Sequence, residues 1–213
     1  MNRSVLRLMS GDGPEPSTVE EVLARDDIPS EVRELIARLI AEREALVAPA
    51  ELLRSRLRDA IVAVAGSAGM AEAQSRLLAA ALELTGLEAG GVYGAEGDWL
   101  VLTEHAGLPD GFAETVERMP LDSPVVRMAV ADPRPLDLVA RCGPLLSLQS
   151  RFGLCCAYAV AIRARDEVVG FVNVASRQRS EPQPFGLEAL AALAAETGSV
   201  LMRLRAEEEA RRG

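Results

Sequence analysis

The chain has 213 residues, a net charge of −9, a hydrophobic fraction of 49% and an aromatic fraction of only 3%. This acidic balance repels phosphate backbones, which excludes nucleic acid as the main partner. No apolar run approaches the roughly 18–20 residues that cross a bilayer, so we expect a protein that does not enter a membrane. The three cysteines, two of them adjacent, are not a disulfide framework, which predicts the reducing cytoplasm.

The N-terminal part predicts an arm followed by a long helix. Residues 1–27 contain a run of turn-forming residues with nothing to bury, which predicts a mobile arm. Pro29, Ser30 and Glu31 form a typical helix start. Residues 28–48 are then expected to form a coiled-coil-like helix ahead of a domain at 49–213, because apolar residues recur at heptad spacing. The seam comprises Val32, Ile36, Leu39, Leu46, Ala50, Leu53, Leu57, Ala60 and Val64.

Two residues interrupt this seam. Arg43 occupies a seam position, and Pro49 should kink the helix or begin a new one. The apolar stripe can pack on the chain's own domain or on a second copy of the chain, and the heptad pattern leaves both possibilities open.

A helix and a hairpin follow. Met70–Thr85 is rich in alanine and leucine and predicts a helix that Gly86 closes as its C-terminal cap. Residues 88–94 and 99–105 predict two strands joined by a tight turn.

The stretch 107–151 is the least regular part of the chain. It predicts short helices at 113–119 and 124–131, with Ser123 as the cap of the second, and an edge strand at 136–139. A long irregular insertion between strands of one domain is usually functional. We therefore expect it to cover one face of a sheet and to enclose a cavity there.

The rest of the chain centres on a second hairpin. Two apolar stretches, at 155–162 and 167–177, flank a charged turn at 163–166. Neither stretch alternates cleanly, so both faces of this hairpin should be covered and it should lie at the centre of the sheet. A Leu-rich helix is expected at 185–212. Antiparallel hairpins between helices predict an α+β fold.

Five short motifs, in this order, resemble those of the GAF domain family over residues 49–206. They are LLAAALELTG at 77–86, AGGVY at 89–93, HAGLP at 105–109, EVVGFVNVAS at 167–176 and Phe185 ahead of the Leu-rich helix. The resemblance implies an antiparallel sheet with helices on both sides. It also implies a small-molecule pocket between one sheet face and the stretch 107–151, and pairing of the flanking helices in a homodimer.

The chain departs from three ligand-binding subgroups that this family contains. Cyclic-nucleotide binders have Asn-Lys, Phe and Asp-Glu where this chain has Ser176-Arg177, Phe185 and Ala189-Leu190. Bilin binders have a cysteine followed by histidine, whereas Cys142 precedes Gly143 and Cys155 precedes Cys156. Haem binders need an axial ligand, and the single histidine, His105, occupies a strand end where ordinary members also have histidine. None of these three cofactors is expected, and the sequence does not identify another.

Six residues are candidates for the pocket wall. Two are strand tyrosines, one is the single histidine, two are arginines that could meet an anionic ligand, and one is the cysteine of the variable stretch. They are Tyr93, His105, Arg127, Arg141, Cys142 and Tyr158. Cys155 and Cys156 are interpreted as small buried hydrophobic residues.

The expected function is that of a cytoplasmic sensory protein, not an enzyme. It would bind an unidentified small molecule, form a homodimer through its flanking helices and pass a signal to a partner protein. One alternative is a GAF-like dimerisation scaffold without a ligand. The other is an enzyme of the free methionine sulfoxide reductase type, which uses this fold but needs cysteines in the variable stretch, where only Cys142 lies.

Overall fold

The computed structural model describes residues 28–141, 151–178 and 181–212. The chain divides between Pro49 and Ala50 into two units. Helix α1 (Ser30–Ala65) begins in the first unit and contains Pro49, so no new helix begins at that proline. No helix within the described ranges is both long and apolar enough to cross a membrane.

The first unit carries an exposed apolar stripe on α1. Val32, Leu35 and Leu39 follow each other at spacings of three and four, so they lie on one side of the helix. Their side chains are 37%, 57% and 55% exposed. Single exposed apolar residues are ordinary, but a row of them on one helix side is a candidate contact surface.

The second unit contains one antiparallel sheet of six strands. The strands are β1 (Ala89–Glu96), β2 (Trp99–Ala106), β3 (Arg118–Pro120), β4 (Leu136–Asp137), β5 (Cys156–Ala164) and β6 (Glu167–Ser176), in the spatial order β3-β2-β1-β6-β5-β4. The helices are α2 (Met70–Thr85), α3 (Phe112–Thr115), α4 (Pro124–Ala131), α5 (Leu138–Arg141) and α6 (Gly186–Arg212). The predicted α+β fold is confirmed, as are both hairpins and the Gly86 cap, whose backbone is left-handed.

Two local predictions in the irregular stretch were wrong. The helix expected at 113–119 ends at Thr115, and Arg118–Pro120 instead forms strand β3 on the edge of β2. The strand expected at 136–139 is only Leu136–Asp137, because the Asp137 carboxylate accepts a hydrogen bond from the backbone N–H of Ala140, at 2.9 Å, and so begins a helical turn.

Each sheet face has its own core. The long helices α2 and α6, with the part of α1 after Pro49, cover one face, and their buried side chains include Leu77, Leu84, Leu190, Leu193, Leu201 and Leu204. The short helices α3, α4 and α5 cover the other face, where alanines of β5 meet larger side chains of the helices. Helices on both sides explain why neither central strand alternates between apolar and polar residues.

The sheet and the long helices are tied together near one end of β6. The Glu88 carboxylate accepts hydrogen bonds from the Ser176 hydroxyl at 2.9 Å and the Arg177 backbone N–H at 2.7 Å. Partial burial raises the pKa of Glu88, but these hydrogen bonds outweigh it and hold that pKa below its usual value. The Gln183 backbone N–H donates to the Thr85 carbonyl at 2.9 Å, so the end of α2, the end of β6 and the approach to α6 form one connected network.

Candidate functional site

A cavity of about 200 Å³ lies on the sheet face that carries the short helices. The sequence predicted a cavity in this place, between the irregular stretch and the central strands. Tyr93, Asn173 and Thr115 contribute polar side chains to its wall. The apolar side chains of the wall belong to Leu108, Phe112, Val116, Met119, Val125, Leu138, Leu154, Ala157, Phe171 and Ala175.

The cavity follows from the order of residues along the strands. Ala157 of β5 and Ala175 of β6 point to this face and line the cavity, and their small side chains leave space above the sheet. Phe171 of β6 stands beside Tyr93 of β1, edge to face, with ring centroids 6.2 Å apart. Aromatic rings therefore bound one side of the space that the alanines leave.

Tyr93 contributes a buried phenol. Its side chain is almost fully buried, and burial raises its pKa to about 12, which the hydrogen bond with the Asn173 side chain opposes only in part. The hydroxyl is therefore protonated and uncharged at every physiological pH.

Asn173 contributes an amide oxygen that lacks a hydrogen-bond partner within the described part of the chain. A buried polar atom left without a partner costs about 1–3 kcal/mol. The third polar side chain, that of Thr115, already donates its hydroxyl proton to the Gly111 carbonyl at 2.8 Å. Asn173 is thus the wall residue with an unmet hydrogen-bonding need.

Arg118 is the one charged residue among the described residues of the wall, but its guanidinium group does not point into the cavity. Leu100 of β2 faces the apolar core on the cavity side, so its neighbour Val101 faces the opposite side of the sheet. Arg118 pairs with Val101, and paired residues point to the same face, so the Arg118 side chain also points away from the cavity side. Its guanidinium carbon lies 5.0 Å from the Trp99 ring centroid, in a cation–π contact. The cavity wall therefore presents neutral side chains.

Of the candidate residues, Tyr93 lies in the wall of this cavity. Tyr158 was expected in the same wall, and that prediction was wrong. It follows Ala157 along β5, so its side chain points to the other face, where it packs on the core beneath the long helices. His105 pairs with Gly91 at the far end of the hairpin, is exposed, and does not belong to the cavity wall.

The remaining candidates do not gather at this cavity either. Arg127 lines a surface groove with Glu167 and Arg205, and Arg141 lines another with Asp132. Cys142 lies outside the described residues. The structure therefore separates the two arginines that were considered for an anionic ligand.

The expectation that both adjacent cysteines are buried is wrong for Cys155. Its side chain is exposed, because it precedes the first residue of β5, whereas Cys156 is buried. Burial raises the pKa of the Cys156 thiol. Cys156 belongs to the core under the long helices, so neither thiol reaches the cavity.

Asn173 was not among the residues that the sequence predicted for the pocket wall, although it lies there. The available signal was its position as a polar residue between the buried Val172 and Val174 in the middle of β6, two residues from Phe171. Within the described ranges, no group of three His, Cys, Asp or Glu side chains could hold a metal ion.

No protein-family model and no curated protein sequence matches the chain. Several solved structures match its fold. The GAF domain of a phosphoenolpyruvate-protein phosphotransferase from Acinetobacter has a TM-score of 0.57 at 16% identity, over 73% of this chain and 95% of that one. The corresponding GAF domain from Coxiella burnetii has a TM-score of 0.59 at 16% identity, over 74% and 96%.

A larger protein also matches. The chromophore-binding domain of a bacteriophytochrome from R. palustris has a TM-score of 0.60 at 13% identity, and the match covers 75% of this chain and 63% of that one. These likenesses concern the fold. Together with the six-stranded sheet order and the helices on both of its faces, they confirm the predicted resemblance: the chain contains a GAF-like domain.

Proposed function

We propose that this chain is a sensory GAF-domain protein that binds a small molecule in the cavity beside Tyr93 and Asn173. The observation that carries the proposal is a mostly apolar cavity with a buried amide oxygen that lacks a partner within the described part of the chain. An empty space and an unmet hydrogen bond both cost stability. A ligand that fills the cavity removes the first of these costs, which makes this cavity the best-supported binding site.

The proposal favours binding over catalysis. Tyr93 is neutral and buried, and Asn173 and Thr115 are neither acids nor bases at physiological pH. The wall has no nucleophile activated by a neighbouring base among the described residues. A reductase of the free methionine sulfoxide type would need an attacking thiol at the ligand. Of the two described cysteines, Cys156 lies on the other sheet face and Cys155 does not line the cavity, while Cys142 lies outside the described residues.

The route for a signal in this proposal leads from β6 to the long helices. Asn173 lies three residues before Ser176, whose hydroxyl donates to Glu88. Gln183, which follows β6, holds the end of α2. A ligand that shifts β6 would therefore shift α2 and α6 together, and those helices can carry the change to a partner chain.

The thermal test uses a panel of small metabolites. A compound at about 100 times its dissociation constant stabilises the folded state by about 2.7 kcal/mol. For a chain of this size that is a rise in Tm of roughly 5–10 °C. Native mass spectrometry of protein purified without added ligand would detect a molecule that stays bound. A panel without any thermal shift, together with a mass equal to the bare chain, would favour the scaffold alternative.

The second part of the proposal is a homodimer through the stripe on α1. Val32, Leu35 and Leu39 are 37%, 57% and 55% exposed, so burying what remains of each is worth about half of the roughly 1.5–3 kcal/mol that a fully exposed side chain would gain. A two-fold contact buries each residue twice, which offsets association costs in the lower part of the range of about 4–15 kcal/mol.

Substitutions on the two sides of α1 test this dimer. Leu35→Asp combined with Leu39→Asp should give a folded monomer, while Ala37→Asp, on the opposite side of the helix, should leave the dimer intact. Light scattering at micromolar concentration reports the mass. A monomeric wild type, or a double variant that is still dimeric, would rule out this contact.

A further inference from the structure

We propose that the Tyr93 hydroxyl recognises the ligand of the cavity, and that this ligand is a neutral compound of one ring or two fused rings with a carbonyl or ether oxygen that accepts the hydroxyl proton. This inference rests on the proposed binding function and adds to it the chemical class of the ligand and the residue that recognises it.

The tip of the Tyr93 side chain lies at the cavity. Tyr93 pairs with Phe171 across β1 and β6, yet its hydroxyl meets the side chain of Asn173, two residues further along β6. A large side chain reaches such a diagonal neighbour by leaning along the sheet. The Tyr93 ring therefore leans toward Ala175, the next residue of β6 on this face, whose small side chain lines the cavity. This direction brings the hydroxyl to the edge of the space that the alanines leave.

The Tyr93 hydroxyl keeps its own proton available as a donor. A hydrogen bond that lowers the pKa of a phenol is donated to its oxygen, so the Asn173 amide nitrogen is the donor and the Tyr93 oxygen the acceptor. The Asn173 amide oxygen instead lies against Gly91, shielded from the cavity. Among the described residues, Tyr93 makes no other hydrogen bond. Since a hydroxyl both accepts and donates, a ligand can take the Tyr93 proton while the bond from Asn173 stays intact.

The size of the ligand follows from the volume of the cavity, which is about 200 Å³. An apolar protein cavity of about 150 Å³ holds benzene, so the present one accepts a single substituted ring or a small fused pair. A nucleotide or a tetrapyrrole is far larger than this space.

The neutrality of the ligand follows from the wall. A charged group moved into an apolar site needs an opposite charge or several hydrogen bonds. The Arg118 guanidinium lies against Trp99, and the Tyr93 phenol is un-ionised. The described wall therefore offers no counter-charge to an anion or a cation. Residues 142–150, which lie outside the described ranges, include no charged residue and add none.

Three probes of nearly the same shape separate these claims by isothermal titration calorimetry on the full chain. Acetophenone carries a carbonyl group on one ring, α-methylstyrene has a carbon–carbon double bond in place of that carbonyl, and benzoate has a carboxylate in place of the acetyl group. We expect acetophenone and α-methylstyrene to bind and benzoate to give no detectable heat of binding.

Tyr93→Phe is the matched variant, because it removes the hydroxyl alone, and thermal unfolding first establishes that it is folded. The ratio of the dissociation constant of acetophenone to that of α-methylstyrene should rise about fivefold in this variant. The desolvation of each probe is the same in both proteins and cancels from this comparison. Tyr158→Phe makes the same chemical change on the other face of the sheet and should leave the ratio unchanged.

The carbonyl stretch of bound acetophenone gives a second measurement, which needs only the wild type. In an isotope-edited infrared spectrum, the hydrogen bond from Tyr93 should lower the frequency of this stretch below its value for acetophenone in hexane.

Each contrary result overturns a stated part of the inference. Benzoate binding more tightly than acetophenone overturns the neutral class. An unchanged ratio in folded Tyr93→Phe, an equal rise of the ratio in Tyr158→Phe, or a carbonyl stretch equal to that in hexane overturns the hydrogen bond from Tyr93. Failure of all three probes overturns the ligand class, whereas the proposed sensory function falls only if the metabolite panel and native mass spectrometry also fail.

Discussion

Gly198 on α6 is where the long helix comes closest to the sheet. A Cβ atom added there would overlap the Arg163 carbonyl oxygen and lie 2.6 Å from the carbonyl carbon. Both groups belong to backbone, so neither can rotate away as a side chain could. Gly198→Ala must therefore push α6 away from the end of β5 by a large part of an ångström.

The cost can be worked from the side chains that α6 buries. Leu190, Leu193, Leu201 and Leu204 of this helix are each at most 2% exposed. Overpacking of a dense core lowers the free energy of unfolding by about 1–3 kcal/mol. We expect a cost of about 3 kcal/mol for Gly198→Ala, because the backbone must move. Alanine recovers about 1 kcal/mol over glycine in helix propensity. The net loss is about 2 kcal/mol, or roughly 4–8 °C in Tm for a chain of this length.

Thermal unfolding followed by circular dichroism measures this loss. Ser199→Ala, one residue along the same helix and exposed, is the control and should change stability by no more than about 0.5 kcal/mol. A Gly198→Ala variant as stable as the wild type, or more stable, would refute the close packing of α6 on β5.

Two further predictions concern ionisable groups. Burial raises the pKa of Tyr93 from 10 to about 12, so the folded state disfavours the phenolate. This contribution to the free energy of unfolding should be complete below pH 10 and should fall by about 2.7 kcal/mol as the pH rises through 12, a range in which the chain has no lysine to titrate. Denaturant unfolding of Tyr93→Phe should lack this part of the loss. In the native protein a thiol reagent should modify Cys155 quickly and Cys156 slowly, because only Cys155 is exposed; mass-spectrometric labelling at equal rates would contradict the register of β5.

The parts of the fold that were predicted correctly are those with strong local signals. The charged turn between β5 and β6, the Gly86 cap and the start of α4 at Pro124 depend on residues close in sequence. The Ser123 hydroxyl indeed accepts a hydrogen bond from the Val126 N–H. Local preferences of this kind act before any tertiary contact forms.

The parts that failed depend on distant partners. Arg118–Pro120 forms a strand only because the edge of β2 is available, and no local signal encodes that edge. For Tyr158, the alternation along β5 was correct, but the alternation alone does not say which face meets the irregular stretch. The same ambiguity hid Asn173, whose place in the wall needs the pairing of β6 with both β1 and β5.

The central claim is that a small molecule binds in the cavity beside Tyr93 and Asn173, and blocking that space tests it most directly. Ala157→Leu, on β5, and Ala175→Leu, on β6, each place a larger side chain into the cavity from a different strand. Calorimetry with any compound that raises the Tm of the wild type should show binding lost, or weakened more than about tenfold, in both folded variants. Undiminished affinity in both would place the ligand elsewhere and contradict the account.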